Sequence, residues 1–140
     1  MEKIEFLKYR DLLREVQQLR DQIRILESSL YSPAGQRFST TPRAASGPKK
    51  TMDDAVAGHI KLEALYRSQL AEKEARQLII EQAIMSLPDT AEAPERLVMR
   101  LRYIEGRGWP AVVREMQKLG YSERTVFRLH GSALSKLKEF

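Results

Sequence analysis

Seven residues, Tyr9, Leu12, Val16, Leu19, Ile23, Leu26 and Leu30, recur at alternating steps of three and four without a break. That spacing puts all of them on one narrow stripe of an α-helix, the seam of a coiled coil. The remaining positions are crowded with charge, from Lys8, Arg10, Asp11, Arg14 and Glu15 to Arg20, Asp21, Arg24 and Glu27, which keeps the flanks wet and offers pairs between helices. A lone helix cannot bury such a stripe, so it needs a partner. Either a second copy of the chain or the next helix of the same chain could supply it, and periodicity does not choose between them.

The stretch 31–50, YSPAGQRFSTTPRAASGPKK, holds three prolines, two glycines and no acidic residue, the composition of a basic flexible linker. Arg37, Arg43, Lys49 and Lys50 could touch phosphate, but a solvated tether is the expected role. Thr51-Met52-Asp53-Asp54 reads as a capping box that opens a long helix near Met52. Pro88-Asp89 closes this helix after Leu87, and its apolar stripe is Met52, Val56, Ile60, Leu62, Tyr66, Leu70, Ile80, Ile84 and Leu87. The middle is less regular, because Glu63, Lys73, Glu74 and Gln77 fall on or beside the seam. At 1.5 Å per residue the helix should span roughly 54 Å, long enough for the N-terminal helix to fold back antiparallel along it. The expected division is a coiled-coil helix at 1–30, the linker at 31–50, a long helix at 51–87 and a C-terminal unit at 88–140. The expected fold is all-α, a hairpin of long helices that also serves homodimerisation, followed by a three-helix unit.

Composition agrees with one compact domain plus extensions: 140 residues, 42% hydrophobic and 31% charged. No apolar run approaches the roughly 20 residues that cross a bilayer, and MEKIEFLKYR lacks a signal-peptide core. A cytoplasmic protein with no membrane contact is expected. The absence of cysteine removes disulfides, thiolate nucleophiles and cysteine zinc sites. The formal net charge of +5 is unevenly spread: zero over 1–30, +4 over 31–50, −2 over 51–87 and +3 over 88–140. Basic excess confined to the linker and the C-terminal unit is the footprint expected of a protein that neutralises phosphates there.

In the stretch 97–137 three short amphipathic runs lie end to end: Leu97, Val98, Leu101 and Ile104; Val112, Val113, Met116 and Leu119; Val126, Leu129, Ala133, Leu134 and Leu137. Gly106 and Gly108 separate the first two, and Leu119-Gly120-Tyr121-Ser122 separates the last two, a joint too brief for a strand or a flexible linker. This is the pattern of a helix-turn-helix. Ser122 should cap the last helix, leaving Glu123, Arg124, Thr125, Phe127 and Arg128 on its early turns while Val126 and Leu129 face inward. A recognition helix requires that division, with polar N-terminal residues toward base edges in the major groove of double-stranded DNA and an apolar stripe toward the supporting helix. Arginine suits the paired acceptors of guanine, and threonine or phenylalanine suits a thymine methyl.

LRYIEGRGW followed by LGYSERTVFRLHGSALSKL resembles region four of bacterial sigma factors, and more closely the ArpU-like regulators of phage late transcription, whose C-terminal half is sigma-like. Ser122, the polar run Glu123 to Arg128, Ala133-Leu134 and Lys136-Leu137 match the family pattern in order. The resemblance implies a promoter-binding activator in a bacterial host cell, with Lys136 added to the DNA-binding set and RNA polymerase as a further candidate partner. Pro110 is tolerated in the first turn of the supporting helix. Gly131 costs the last helix roughly 1 kcal/mol relative to alanine, a cost that close helix packing would explain. The competing expectation is a DNA-packaging adaptor resembling a small terminase subunit, which also joins a helix-turn-helix to oligomerising helices. Catalysis is not expected: His59 and His130 lie in no metal-ligand spacing, Asp53 and Asp54 belong to the capping box, and there is no phosphate-cradling glycine loop or serine elbow. No cofactor and no metal are expected.

Overall fold

The computed structural model describes residues 1–31 and 52–140, and all regular structure among them is helical. The helices are α1 (Lys3–Leu7), α2 (Tyr9–Tyr31), α3 (Met52–Met85), α4 (Glu95–Met99), α5 (Trp109–Lys118) and α6 (Glu123–Leu137). A π-helical turn, Arg100–Ile104, continues α4. The expected linker and the Thr51 side of the capping box lie outside the described residues. The described residues form two compact units, one made of 1–14 with 75–140 and the other of 15–74. The first thus joins both chain ends to the last turns of α3, where the sequence suggested a boundary at 88.

In the unit formed by 15–74, α2 and α3 pair antiparallel, with ion pairs from Glu15 to Lys73 (2.8 Å), Arg20 to Glu74 (2.9 Å) and Glu27 to Arg67. Val16, Leu19 and Ile23 are buried and Leu26 is half-buried, so this part of the α2 seam is covered within the chain. The α3 edge differs from the expected stripe. Ile60 is 55% exposed and Leu62 38% exposed, while His59, Glu63, Tyr66, Leu70 and Lys73 take the half-buried positions at steps of four and three. The strict coiled-coil spacing wins over hydrophobicity because Glu63 and Lys73 can lay their stems on the seam and bring their charges out. Glu63 reaches Arg67 (2.8 Å), as Lys73 reaches Glu15.

The other unit has two apolar cores. Phe6, Tyr9, Leu12, Ile80, Ala83, Ile84 and Leu87 meet Met99, Tyr103, Ala133 and Leu137 in one; Val98, Leu101, Val112, Met116, Val126 and Leu129 make the other. Two elements serve both. Along α6, Val126 and Leu129 enter the second core and Ala133 and Leu137 the first. Along α4 and its π turn, Val98 and Leu101 face one core and Met99 and Tyr103 the other. A π turn wraps more residues per turn than an α-helix, so the sequence pattern of Leu97, Val98, Leu101 and Ile104 did not reveal the second buried edge. One buried charge ties these elements: Glu95, 2% exposed, accepts from Ser132 Oγ (2.5 Å) and pairs with Lys136 Nζ (2.9 Å).

Candidate nucleic-acid interface

Gly120 stands where α5 must stop. Its φ of +94° lies in the left-handed region that glycine enters at no steric cost. The amides of Gly120 and Tyr121 turn back to donate to the carbonyls of Gln117 (3.0 Å) and Met116 (3.1 Å). This pair of bonds is a Schellman motif, and Tyr121 seals it by packing against the core that holds Met116. Tyr121 Oη also donates to the Ala91 carbonyl (2.5 Å), tying the turn to the connector before α4. Ser122 follows as N-cap of α6, its Oγ accepting from the Thr125 amide (3.2 Å). Two helices are therefore joined by a short turn that its own backbone hydrogen bonds hold closed.

The approach to α5 is fixed in the same way. Gly106 has φ +69°, and a Cβ there would lie 2.7 Å from Arg10 Nε. Arg10 Nη1 donates to the Ile104 carbonyl (3.0 Å), so a residue of α2 closes the end of the π turn and lies along the glycine. Pro110 occupies the first turn of α5, where its missing N–H costs nothing.

On α6 the two edges separate cleanly. Val126, Leu129, His130, Ala133 and Leu137 are buried, while Arg124, Phe127, Arg128, Gly131 and Ser135 are exposed at helical spacing along one edge. Of the residues singled out in the sequence, Glu123, Arg124, Phe127 and Arg128 lie exposed on the first two turns. Ser122 and Thr125 are engaged in the cap, their hydroxyls 2.9 Å apart. Lys136 lies two turns beyond Arg128, its ammonium 3.0 and 2.9 Å from the two Glu95 oxygens, which gives it a structural task. Gly131 meets nothing within 4 Å of a built Cβ, so close helix packing does not account for it.

Charge at this surface is partly spent on internal pairs. Glu115 takes Lys118 (3.0 Å) and Arg107 (3.6 Å), and its carboxyl pKa is lowered, chiefly by the hydrogen bond from Lys118. Among the described residues Arg100, Arg114, Arg124 and Arg128 make no ion pair. No group of three or more His, Asp or Glu among them is placed to hold a metal ion. None of their helices is long and apolar enough to cross a membrane.

Sequence reasoning missed the aromatic support beneath α6. Phe127 lies 5.0 Å from Trp109, centroid to centroid, and Trp109 meets His130 edge-on at 4.6 Å. Arg102 sits over the Trp109 ring at 5.0 Å. His130 Nε2 is 2.6 Å from Tyr103 Oη. Burial, reinforced by the positive charges of Lys3 and Arg102, pushes the imidazole down to about 4, and burial raises the Tyr103 phenol. His130 is therefore a neutral member of the core at physiological pH. The only available sequence signal was the single tryptophan, placed just before Pro110. Comparison with protein-family models, with characterised proteins and with solved structures finds no match for this chain.

Proposed function

We propose that the chain is a sequence-specific DNA-binding regulator of transcription that lays the exposed edge of α6 in a major groove. One observation carries this reading: a glycine turn and a serine cap present Phe127 and the unpaired Arg124 and Arg128 together, all exposed, on a helix whose other edge is locked in a core. Such a helix can meet base edges without reorganising. The resemblance to ArpU-like phage regulators and to sigma region four supports promoter DNA as the target, a bacterial host as the setting and RNA polymerase as a second partner. Self-association belongs to the same proposal, and the exposed Ile25, Ile60, Leu62 and Leu65 of the hairpin offer apolar surface for it. Those residues also support the second reading, a packaging adaptor of the small-terminase kind.

Selection of bound duplexes from a random pool, followed by titration at several salt concentrations, tests the proposal. If Arg124 reads a guanine edge, Arg124→Ala should cost about 1 to 3 kcal/mol on the selected site and much less on random DNA. If Arg128 holds phosphate, Arg128→Ala should weaken both alike and shallow the salt dependence by about one unit of slope. Both side chains are exposed, so helicity and melting temperature should not change. Parent-like binding by both variants would turn the motif into a protein-docking module.

A further inference from the structure

We propose that Phe127, braced by Trp109, reads the 5-methyl group of a thymine, making Phe127 a specificity-determining residue and Trp109 the residue that positions it. This deepens the reading of α6 as a DNA-binding helix and rests on it. Phe127 is 42% exposed on the edge that carries the unpaired Arg124 and Arg128. Its ring is not left to rotate freely. It leans on Trp109 with 54° between the ring planes, and Trp109 is held by the Arg102 guanidinium and the His130 edge, with His130 held in turn by Tyr103. A run of contacts through Tyr103, His130 and Trp109 thus fixes an apolar surface on the same edge as the two arginines.

The chemistry of the ring limits what it can recognise. Phenylalanine has no conventional hydrogen-bond donor or acceptor for a base edge, and N–H···π contacts are second-order, so its main favourable contact is apolar. In the major groove the thymine 5-methyl is the apolar group that a base edge presents. Double-stranded RNA lacks it and keeps its major groove too narrow for side chains. The ligand is therefore duplex DNA with a thymine beside the base that Arg124 reads. Removing one buried methyl corresponds to about a four-fold loss of affinity.

The experiment uses the full chain and the duplex it selects from a random pool, with each thymine replaced in turn by deoxyuridine, which lacks only the methyl. One replacement should weaken binding about four-fold, and the others should be silent. Phe127→Ala should bind the thymine and deoxyuridine duplexes alike while keeping its dependence on the guanine read by Arg124. Trp109→Leu should shrink the thymine preference while leaving affinity for the deoxyuridine duplex near that of the parent, a pattern that general loss of structure does not produce. Circular dichroism melting identifies a Trp109 variant that fails to fold, and Phe127→Ala, at an exposed position, then decides alone. The inference is overturned if the selected site has no thymine, if every replacement is silent, or if Phe127→Ala keeps the preference. Failure of the parent to bind any duplex would overturn the DNA-binding reading itself, whereas salt-sensitive binding indifferent to the methyl overturns this inference only.

Discussion

His130 and Gly131 are neighbours on α6 with opposite duties. His130 is buried, its folded pKa lies near 4 and its unfolded reference is 6.5. Protonation therefore favours the unfolded chain. The stability from keeping the ring neutral is fully present above pH 6.5, declines as pH falls toward 4 and is gone below it. The whole span is on the order of 3 kcal/mol. Urea melts between pH 7.5 and 4.5 should show the parent losing stability more steeply than His130→Gln, which starts lower because the aromatic packing is damaged. Parallel pH profiles would remove His130 from the account. Gly131 buries nothing, and its missing Cβ relieves no contact. Gly131→Ala should stabilise the protein by about 1 kcal/mol, and so should Gly58→Ala on α3, whose Cβ would also meet open space. Only the first lies on the edge assigned to DNA. If a phosphate backbone passes close over that edge, Gly131→Ala will bind DNA more weakly although it is more stable, and Gly58→Ala will not.

At the level of elements, the sequence was most legible where apolar residues and helical period agree. The α2 seam was readable because no polar residue interrupts it, and its described members are buried apart from the half-buried Leu26. The α3 seam was misread because Ile60 and Leu62 carry the hydrophobicity while Glu63 and Lys73 hold the geometry, and the pair that Lys73 makes with Glu15 across the helices has no local signature. The turn between α5 and α6 could be found from Gly120 and Ser122, since left-handed glycine and N-cap serine are local requirements. Glu95 was invisible, because its partners Ser132 and Lys136 lie 37 and 41 residues away. So was Trp109 beneath Phe127, a contact between helices that the π turn and Gly106 bring together. A test follows from the hairpin. Leu19 is 7% exposed, and burying a leucine contributes about 1.5 to 3 kcal/mol. Leu19→Asp loses that and adds an unpaired charge, so helicity should fall markedly. Leu78→Asp, at a position 54% exposed on α3 and outside the association surface, should cost within about 0.5 kcal/mol. Equal losses in far-ultraviolet circular dichroism would mean that the α2 seam is not held by α3 in solution.

For the whole molecule the open quantity is how many copies act together. The buried part of the α2 seam is satisfied by its own chain, so the coiled-coil stripe no longer requires a second copy. What remains for association is exposed: Ile25, Met52, Val56, Ile60, Leu62 and Leu65 in the hairpin unit. A closed ring would need two different complementary patches on every subunit, whereas a twofold dimer needs one patch that complements itself. One apolar edge along α3, with Met52, Val56 and Ile60 at steps of four, is a single patch and favours the smaller assembly. Native mass spectrometry and sedimentation should therefore find the 16.1 kDa monomer or its dimer, the sizes that suit a promoter regulator. Salt provides an independent readout on the same samples. Among the described residues, Arg100, Arg114, Arg124 and Arg128 are the arginines of the C-terminal helices that make neither an ion pair nor a side-chain hydrogen bond, unlike Arg96 and Arg102, which donate to the Leu87 and Arg107 carbonyls. One protomer neutralising one phosphate with each of these unpaired arginines gives a slope of about −3.6 in log affinity against log salt. A dimer engaging both α6 helices should double it, and losing Arg128 from each protomer should then shallow it by about two units instead of one. A ring of many subunits with a far steeper slope would replace the transcription reading with the packaging one, because only an encircling assembly brings so many arginines to one duplex.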